Sequence, residues 1–227
     1  MVEGEKCIRE LCRSSWAVER IYYTNDWDDA PLWDLNDEMR SLPRMLVGTK
    51  DMALMSALKT PPGLLAIAPW PLELGRLPSD DGMSLFLDDV TDPGNVGTLI
   101  RVADWFGLSG VIMSPRCADA LGPKAIQSAM GSTFHVSLAM ESFSKIPYSH
   151  KRNVVGLDMG GQNLFGPGLP DAPSLLVIGS ESHGLSPDIK EACHSIASIP
   201  GAGRAESLNA SVAGAIATSA FLQQRLS

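Results

Sequence analysis

The amino-acid sequence predicts an α/β protein in which a small α/β domain precedes a larger domain built on a parallel sheet. Helix-like and strand-like segments alternate along the chain, and this alternation favours a parallel sheet covered on both faces. A segment rich in proline, glycine and acidic residues, 69–82, separates the first set of segments from the second and is typical of a linker. We therefore expect two domains, residues 1–78 and 79–227.

The composition is that of an ordinary globular protein. The chain has 227 residues, of which 44% are hydrophobic and 19% charged, with a formal net charge of −8. Disordered and fibrous classes are excluded, and the acidic balance argues against indiscriminate nucleic-acid binding. No apolar run approaches the roughly 18 residues of a membrane span, and the N-terminal segment MVEGEKCIRE is charged where a secretory signal is apolar. We expect a cytoplasmic protein that does not enter a membrane.

The first domain is predicted from segments that alternate between helical and strand-like patterns. Charged, helix-like segments are 3–14, 31–42 and 51–60, and short β-branched, aromatic or aliphatic runs are 18–24 and 63–68.

The second domain contains six strand patterns and four helix patterns. The strands are predicted at 84–90, 110–115, 134–139, 153–159, 174–180 and 195–200. The helices are predicted at 98–107, 123–130, 187–193 and 207–226, with Pro123 opening the second of them. Between the first strand and the first helix, Asp92-Pro93-Gly94 predicts a tight reversal.

Three glycine-bearing loops, 92–101, 179–188 and 200–209, follow strands of the second domain. Ligands of parallel sheets bind beyond the carboxyl ends of the strands, so these loops are the candidate site. In the first loop, Asn95 and Gly97 are expected to precede a helix whose backbone N–H groups hold an anion, with Arg101 at the same rim. The alternative is that Asn95 only caps the helix and Arg101 is a solvated surface residue.

The other two loops carry a carboxylate and a serine. Glu181 lies between Gly179 and Gly184, and Ser207 is expected to cap the last helix. Residues Gly201 to Gly203 have such small side chains that a flat ligand could approach their backbone closely. The fingerprints of dinucleotide binding, nucleoside-triphosphate binding and serine hydrolases are absent from the sequence. The four cysteines include no CxxC pair, which indicates reduced thiols and no metal site.

Taken together, the three loops resemble the signature motifs of the SpoU (TrmH-like) branch of the SPOUT superfamily of RNA methyltransferases. NVGTLIRVADWFG is similar to motif one, VIGSESHGLSP to motif two and IPGAGRAESLNASVAGAIA to motif three. The segments VEGEKCIREL and MALMSALKTPPGLLAIA resemble more loosely the small ribosomal-protein-like domain that recruits RNA in many members. Members usually have a further short basic stretch before it, so we expect either a truncated chain or a shortened N-terminal arm here, and either would weaken RNA binding.

The resemblance implies an S-adenosylmethionine-dependent enzyme that methylates a ribose 2′-hydroxyl of rRNA or tRNA without a metal. It implies a homodimer and a trefoil-knotted α/β fold. The positions that match the family's catalytic residues are Asn95, Arg101, Glu181, Ser207 and Asn209. The positions that match its cofactor-binding residues are Leu157, Gly179, Gly184, Ile199 and Leu208. Gly201 stands where the family usually has Met.

Two other functions remain open on the sequence. One is a non-catalytic RNA-binding scaffold of the same fold, against which the complete polar set argues. The other is a base methyltransferase of the same superfamily acting on guanine N1, whose motifs differ from the Asn-x-Gly-x-x-x-Arg and Ser-Leu-Asn patterns found here. Arginine is a poor base, so we expect Arg101 to hold the phosphate next to the reacting hydroxyl.

Overall fold

The computed structural model describes residues 1–27, 41–71, 75–169 and 172–226, with side chains as far as residue 223. The predicted helix 31–42 lies almost entirely outside these residues. Within them the chain forms two sheets, one of four strands and one of six. No helix among the described residues is both long and apolar enough to cross a bilayer.

The first sheet is mixed and has the strand order β1-β4-β2-β3. Its strands are β1 (Val2–Glu3), β2 (Arg20–Tyr23), β3 (Arg44–Leu46) and β4 (Leu64–Ile67). Strand β4 is antiparallel to both β1 and β2, and β3 is parallel to β2. Two helices accompany this sheet, α1 (Glu5–Arg13) and α2 (Thr49–Met55). Helix α1 is amphipathic and buries Cys7, Ile8 and Leu11, which lie on one helical face.

The second sheet has six strands in the order β10-β8-β9-β5-β6-β7, and every neighbouring pair is parallel. The strands are β5 (Ser84–Asp88), β6 (Gly110–Met113), β7 (Leu138–Met140), β8 (Val154–Asn163), β9 (Leu175–Gly179) and β10 (Ser195–Ser198). The helices are α3 (Pro93–Trp105), α4 (Pro123–Ala129), α5 (Pro187–Ala192) and α6 (Ala210–Leu226).

Both faces of the six-stranded sheet are buried. On β5, Leu85 and Leu87 pack in one core cluster with residues of α3 and α6, whereas Phe86 packs in a second cluster with Ile112 and Val177. Alternate residues of a strand point to opposite faces, so this division places core on both sides. The predicted parallel sheet with two covered faces is confirmed, as is the small mixed α/β unit.

Several element boundaries differ from the predictions. Helix α3 begins at Pro93, and Asp92 is its N-cap, so the tight reversal predicted at 92–94 is wrong. Helix α6 begins at Ala210, three residues after the predicted start at 207. Residues 132–134 form a short 3-10 turn, so the strand predicted from 134 begins only at Leu138. Strand β3 was not predicted, because its three residues are all exposed and show no alternation.

The two sheets share packing. Ile126 and Phe134, from the second part of the chain, join the core of the first sheet, and Trp16 meets Phe134 edge-on at 5.3 Å between ring centroids. Nε2 of His135 lies 3.2 Å from a carboxylate oxygen of Glu10 on α1. The first sheet is therefore held against the α4 side of the second.

The described part of the predicted linker is attached to the second sheet by hydrogen bonds. The Gly75 N–H donates to the Leu138 carbonyl at 3.0 Å, and Nε2 of His150 donates to the Pro78 carbonyl at 2.8 Å. The domain boundary predicted after residue 78 falls in this segment and stays a prediction, as does the trefoil knot.

Candidate functional site

Three of the predicted catalytic side chains meet at the carboxyl end of the six-stranded sheet. Nδ2 of Asn95 on α3 donates a hydrogen bond to Oε1 of Glu181, which follows β9. Nδ2 of Asn209, just before α6, donates to Oδ1 of Asn95 at 2.9 Å. The three motifs, distant along the chain, are thus joined by one row of side chains.

The direction of these hydrogen bonds is set by the start of α6. Oδ1 of Asn209 accepts from the backbone N–H groups of Ser211 and Val212, at 2.9 and 3.2 Å, and from the Ser211 hydroxyl at 2.7 Å. Since this oxygen is occupied by helix capping, the amide nitrogen of Asn209 must face Asn95. The oxygen of Asn95 is then the acceptor and its nitrogen the donor, so Glu181 has to be an acceptor. The row therefore orients both asparagines.

Glu181 lies at the tip of a tight turn. Ser180 and Gly184 exchange two backbone hydrogen bonds, 3.0 and 2.9 Å long, and Gly184 has a φ of 67°. A Cβ on Gly179 would lie 2.2 Å from the carbonyl carbon of Gly184. No side chain fits between the end of β9 and this turn, which explains why glycine is needed at both positions.

The expectation of an anion at the start of α3 is wrong. The N–H groups of Gly94 and Asn95 are accepted by the Asp92 carboxylate, at 2.5 and 3.3 Å. Asn95 lies inside the helix and is buried, so it does not cap it either. Gly97 serves packing, because a Cβ there would lie 2.2 Å from the Ala125 carbonyl oxygen of α4.

Arg101 and Ser207 are not part of the polar row within one chain. Six residues along a helix turn by about 600°, which leaves Arg101 about 120° from Asn95 around the axis, so the predicted shared rim is wrong. Arg101 is exposed and has no partner among the described residues. Ser207 is also exposed, and the capping role expected of it belongs to Asn209.

The predicted cofactor-binding residues lie in or after the strands β8, β9 and β10, or in the loop before α6. Leu157 of β8 is paired in register with Ile178, the residue before Gly179. Ile199 directly follows β10, and like Leu157 it is only partly buried against the core. Leu208 is 48% exposed. These residues offer apolar surface next to a strand end.

The segment 199–208 suits a flat ligand held by backbone groups. Within the described chain, no backbone N–H or carbonyl of this segment takes part in a hydrogen bond, so its donors and acceptors are available. Cβ atoms added at Gly201 and Gly203 would meet nothing within 4 Å. Open backbone beside partly exposed Leu208 fits the adenosine part of S-adenosylmethionine, which needs both hydrogen-bond partners and apolar contact.

Charged groups around the site are held ionised by specific partners. Hydrogen bonding to Lys124, with help from the Gly94 N–H, lowers the pKa of Asp92. Burial would raise the pKa of Asp158, but the bond to Lys190 and the backbone N–H of Gly160 outweigh it and lower that pKa. Both carboxylates are therefore negative at neutral pH.

The cysteines form no disulfide with one another. Burial raises the pKa of Cys7, Cys117 and Cys193. Burial, together with the charge of Asp88, raises the pKa of Cys193 to about 11, so this thiol stays protonated at neutral pH. Among the side chains that the structure describes, no three His, Cys, Asp or Glu residues are grouped so that they could hold a metal ion.

Sequence reasoning missed three residues that build the site. Asp92 caps α3, and its position directly before Pro93 is a recognisable helix start. Asp88, 3% exposed, ends the apolar strand β5 and accepts a hydrogen bond from the Ser186 N–H at 2.6 Å. The Ser211 hydroxyl supports Asn209. For Asp88, a carboxylate at the end of an otherwise apolar strand was the available signal.

Comparisons with known proteins agree with this geometry. Residues 82–219 match the model of the SpoU rRNA Methylase family. The 23S rRNA (uridine(2479)-2′-O)-methyltransferase of Streptomyces viridochromogenes is 33% identical over 244 residues, covering 100% of this chain and 83% of that protein. An uncharacterized tRNA/rRNA methyltransferase of Archaeoglobus fulgidus is 35% identical over 136 residues. That match covers 58% of this chain and 60% of that relative's length.

Solved structures show the same two-sheet architecture. The SpoU methyltransferase AviRb from Streptomyces viridochromogenes, in complex with the cofactor AdoMet, superposes with a TM-score of 0.84 at 26% identity over 99% of this chain and 89% of that one. An RNA methyltransferase of the TrmH family from Porphyromonas gingivalis, described as putative, gives a TM-score of 0.82 at 30% identity over 98% and 88%. The resemblance found in the three motifs is confirmed, and the chain belongs to the SpoU rRNA methylase family.

Proposed function

We propose that this protein transfers a methyl group from S-adenosylmethionine to a ribose 2′-hydroxyl of ribosomal or transfer RNA. The observation that carries the proposal is the row of side chains Asn209, Asn95 and Glu181, which joins all three family motifs at one end of the sheet. Family membership and a related AdoMet-bound structure support the cofactor.

The cofactor would lie beyond the ends of β8, β9 and β10. Leu157, Ile199 and Leu208 supply apolar contact, and the unpaired backbone of 199–208 supplies donors and acceptors. The tight turn at Gly179 and Gly184 shapes the edge of the pocket. When bound, S-adenosylmethionine supplies an electrophilic methyl group on a sulfonium, and its transfer needs no metal.

The ribose would be positioned by the two asparagines. Each carboxamide NH₂ uses one hydrogen in the row and keeps one for a ribose oxygen. Because their orientations are set by the α6 cap, these donors are fixed before RNA binds, and alignment is the main requirement of an in-line displacement. Ser207 is exposed two residues before Asn209, in the loop that leads into α6, and would add a hydroxyl there.

Arg101 would hold the phosphate next to the reacting hydroxyl. Its guanidinium is exposed, without a partner among the described residues, and arginine binds phosphate through paired N–H groups. The new O–CH₃ bond forms as the S–CH₃ bond breaks, and the hydroxyl proton passes to the phosphate.

The first sheet would recruit the RNA.

A second copy of the chain would bring Arg101 to the site. Trp105 on α3 is 83% exposed and Val212 on α6 is 47% exposed, and the two helices pack against each other. Arg101 lies four residues before Trp105 and hence on the same helical side. A homodimer that covers Trp105 would place Arg101 at the interface.

Since the substrate is cellular RNA, we expect the protein to act in the cytoplasm.

Labelled methyl transfer tests this function. The purified protein is incubated with S-adenosylmethionine carrying a labelled methyl group and with protein-free rRNA or tRNA, without added metal. We expect label in the RNA for wild type and none for Asn209→Ala. Protein that binds RNA and the cofactor but transfers no label to any RNA would favour the non-catalytic scaffold.

A further inference from the structure

Asp88 is a buried carboxylate at the end of the central strand β5. It is 3% exposed, and in register it lies beside Gly179, the last residue of β9. One of its oxygens accepts the Ser186 N–H at 2.6 Å. Burying a carboxylate in a nearly apolar strand costs solvation free energy unless hydrogen bonds compensate for the lost water.

The bond to Ser186 anchors the turn that carries Glu181. This turn leaves β9 at Gly179, reverses through the Ser180 and Gly184 backbone pair, and continues to Ser186 at the start of α5. The segment from β5 to α3 therefore holds the turn at two points. Asp88 holds its exit, and Asn95 holds its tip through Glu181.

The two attachments are coupled by geometry. Asp88 ends β5 and Asn95 lies in the first turn of α3, so both belong to the same strand-to-helix segment. If the exit of the turn is released, the tip that carries Glu181 is also free to move. Asn95 would then lose its acceptor while keeping its place in the helix.

We propose that Asp88 is a positioning residue for methyl transfer, which holds the Glu181 turn through the Ser186 N–H and so keeps Asn95 oriented towards the ribose. Because Asp88 is only 3% exposed, it would act through the turn and not by direct contact with RNA. This role rests on the proposed methyltransferase function. A displacement of about 1 Å in a reacting group can cost about a hundredfold in rate, so the loss of the anchor should show in turnover.

Three variants test the anchor. Asp88→Ala removes the acceptor, whereas Asp88→Asn keeps an oxygen in the same place. Ser186→Pro removes the N–H donor, and the observed φ of −61° at Ser186 is one that proline adopts; the Ser186 hydroxyl, which is also lost, makes no cap hydrogen bond at the start of α5. Glu141→Ala is the control, because Glu141 also follows a strand of the second sheet and accepts a backbone N–H, that of Ser142 at 2.8 Å, but it lies at the edge strand β7, two strands away from β5.

We expect Asp88→Ala to lower kcat at least about tenfold, with KM for RNA changed by less than about threefold. Asp88→Asn should keep kcat within about threefold of wild type. The loss of kcat in the Asp88→Ala, Ser186→Pro double variant should be no greater than in Ser186→Pro alone, because both substitutions remove the same hydrogen bond. Glu141→Ala should leave kcat unchanged.

Hydrogen exchange of the peptide 179–187 gives a readout that does not depend on activity. Exchange should be faster in Asp88→Ala than in wild type, and near the wild-type rate in Asp88→Asn. The role would be overturned by additive losses of kcat in the double variant. It would also be overturned if Asp88→Asn lost as much kcat as Asp88→Ala, or if hydrogen exchange were unchanged in Asp88→Ala. If the wild-type protein transfers no methyl group but the exchange rates are as expected, the proposed function is wrong, whereas the structural role of Asp88 in holding the Glu181 turn is supported.

Discussion

The direction of the hydrogen-bond row makes a specific prediction for Asn95→Asp. The change preserves shape but replaces the NH₂ donor that faces Glu181 with an oxygen, so two carboxylates meet where a donor met an acceptor. Oδ1 still accepts from Asn209. We therefore expect the Glu181 end of the row to break and the Asn209 end to remain.

The magnitude follows from the bond that is lost. A hydrogen bond to a charged group contributes about 1.5–3 kcal/mol, and because Glu181 is exposed we take about 2 kcal/mol. For a protein of this size that corresponds to a fall in melting temperature of about 4–8 °C. The two facing carboxylates repel each other only while both are charged, so the deficit in stability of the variant should shrink in acid.

A second substitution provides the decisive comparison. Adding Glu181→Gln to Asn95→Asp places an amide donor opposite the new carboxylate and restores the pairing with its direction reversed. Unfolding by heat and by urea, measured for the single and double variants, should show recovery of at least half the lost stability. Asn163→Asp is the control, because Asn163 is exposed and uses only its oxygen, as acceptor from the Phe165 N–H. No recovery in the double variant would refute the assigned direction.

Three further changes test other parts of the account. Arg101→Ala should abolish methyl transfer and leave cofactor affinity, measured by calorimetry, within about threefold of wild type; a matching loss of cofactor affinity would contradict its assignment to the phosphate. Gly97→Ala should destabilise the protein by about 1–3 kcal/mol in urea unfolding, because the new methyl group meets an α4 carbonyl oxygen, whereas Gly160→Ala should be close to neutral. Asp92→Asn keeps the helix cap but loses the charge that pairs with Lys124. Since the folded-state pKa of Asp92 is lowered, wild type should be the more stable at neutral pH, and its advantage should disappear as the pH falls below about 4.

The sequence predicted the parallel sheet and the site loops because both depend on local patterns. Apolar runs such as 84–88 and 175–179 are recognisable as buried strands, and the three motifs lie at their ends. Pairing of Asn95 with Glu181, 86 residues apart, could not be predicted, because nothing local to either residue specifies its partner. The motif resemblance identified which polar residues matter but not which of them meet.

The errors have physical causes too. The start of α3 was missed because Pro93 was taken for a turn residue, although proline also suits the first position of a helix. Ser207 and Asn209 are both good caps, and only the fold decides between them. Gly97 was expected to precede the helix, but it lies inside α3, where the lack of a side chain leaves room for the backbone of α4.

The measurement that tests the central claim most directly is identification of the methylated nucleoside. RNA labelled by the wild-type protein is digested to nucleosides and analysed by mass spectrometry, with Arg101→Ala as the inactive control. The account predicts that the label is found on the ribose, as a 2′-O-methyl nucleoside resistant to alkaline cleavage at its 3′ side. Label on the nucleobase would contradict it and would instead support a base methyltransferase.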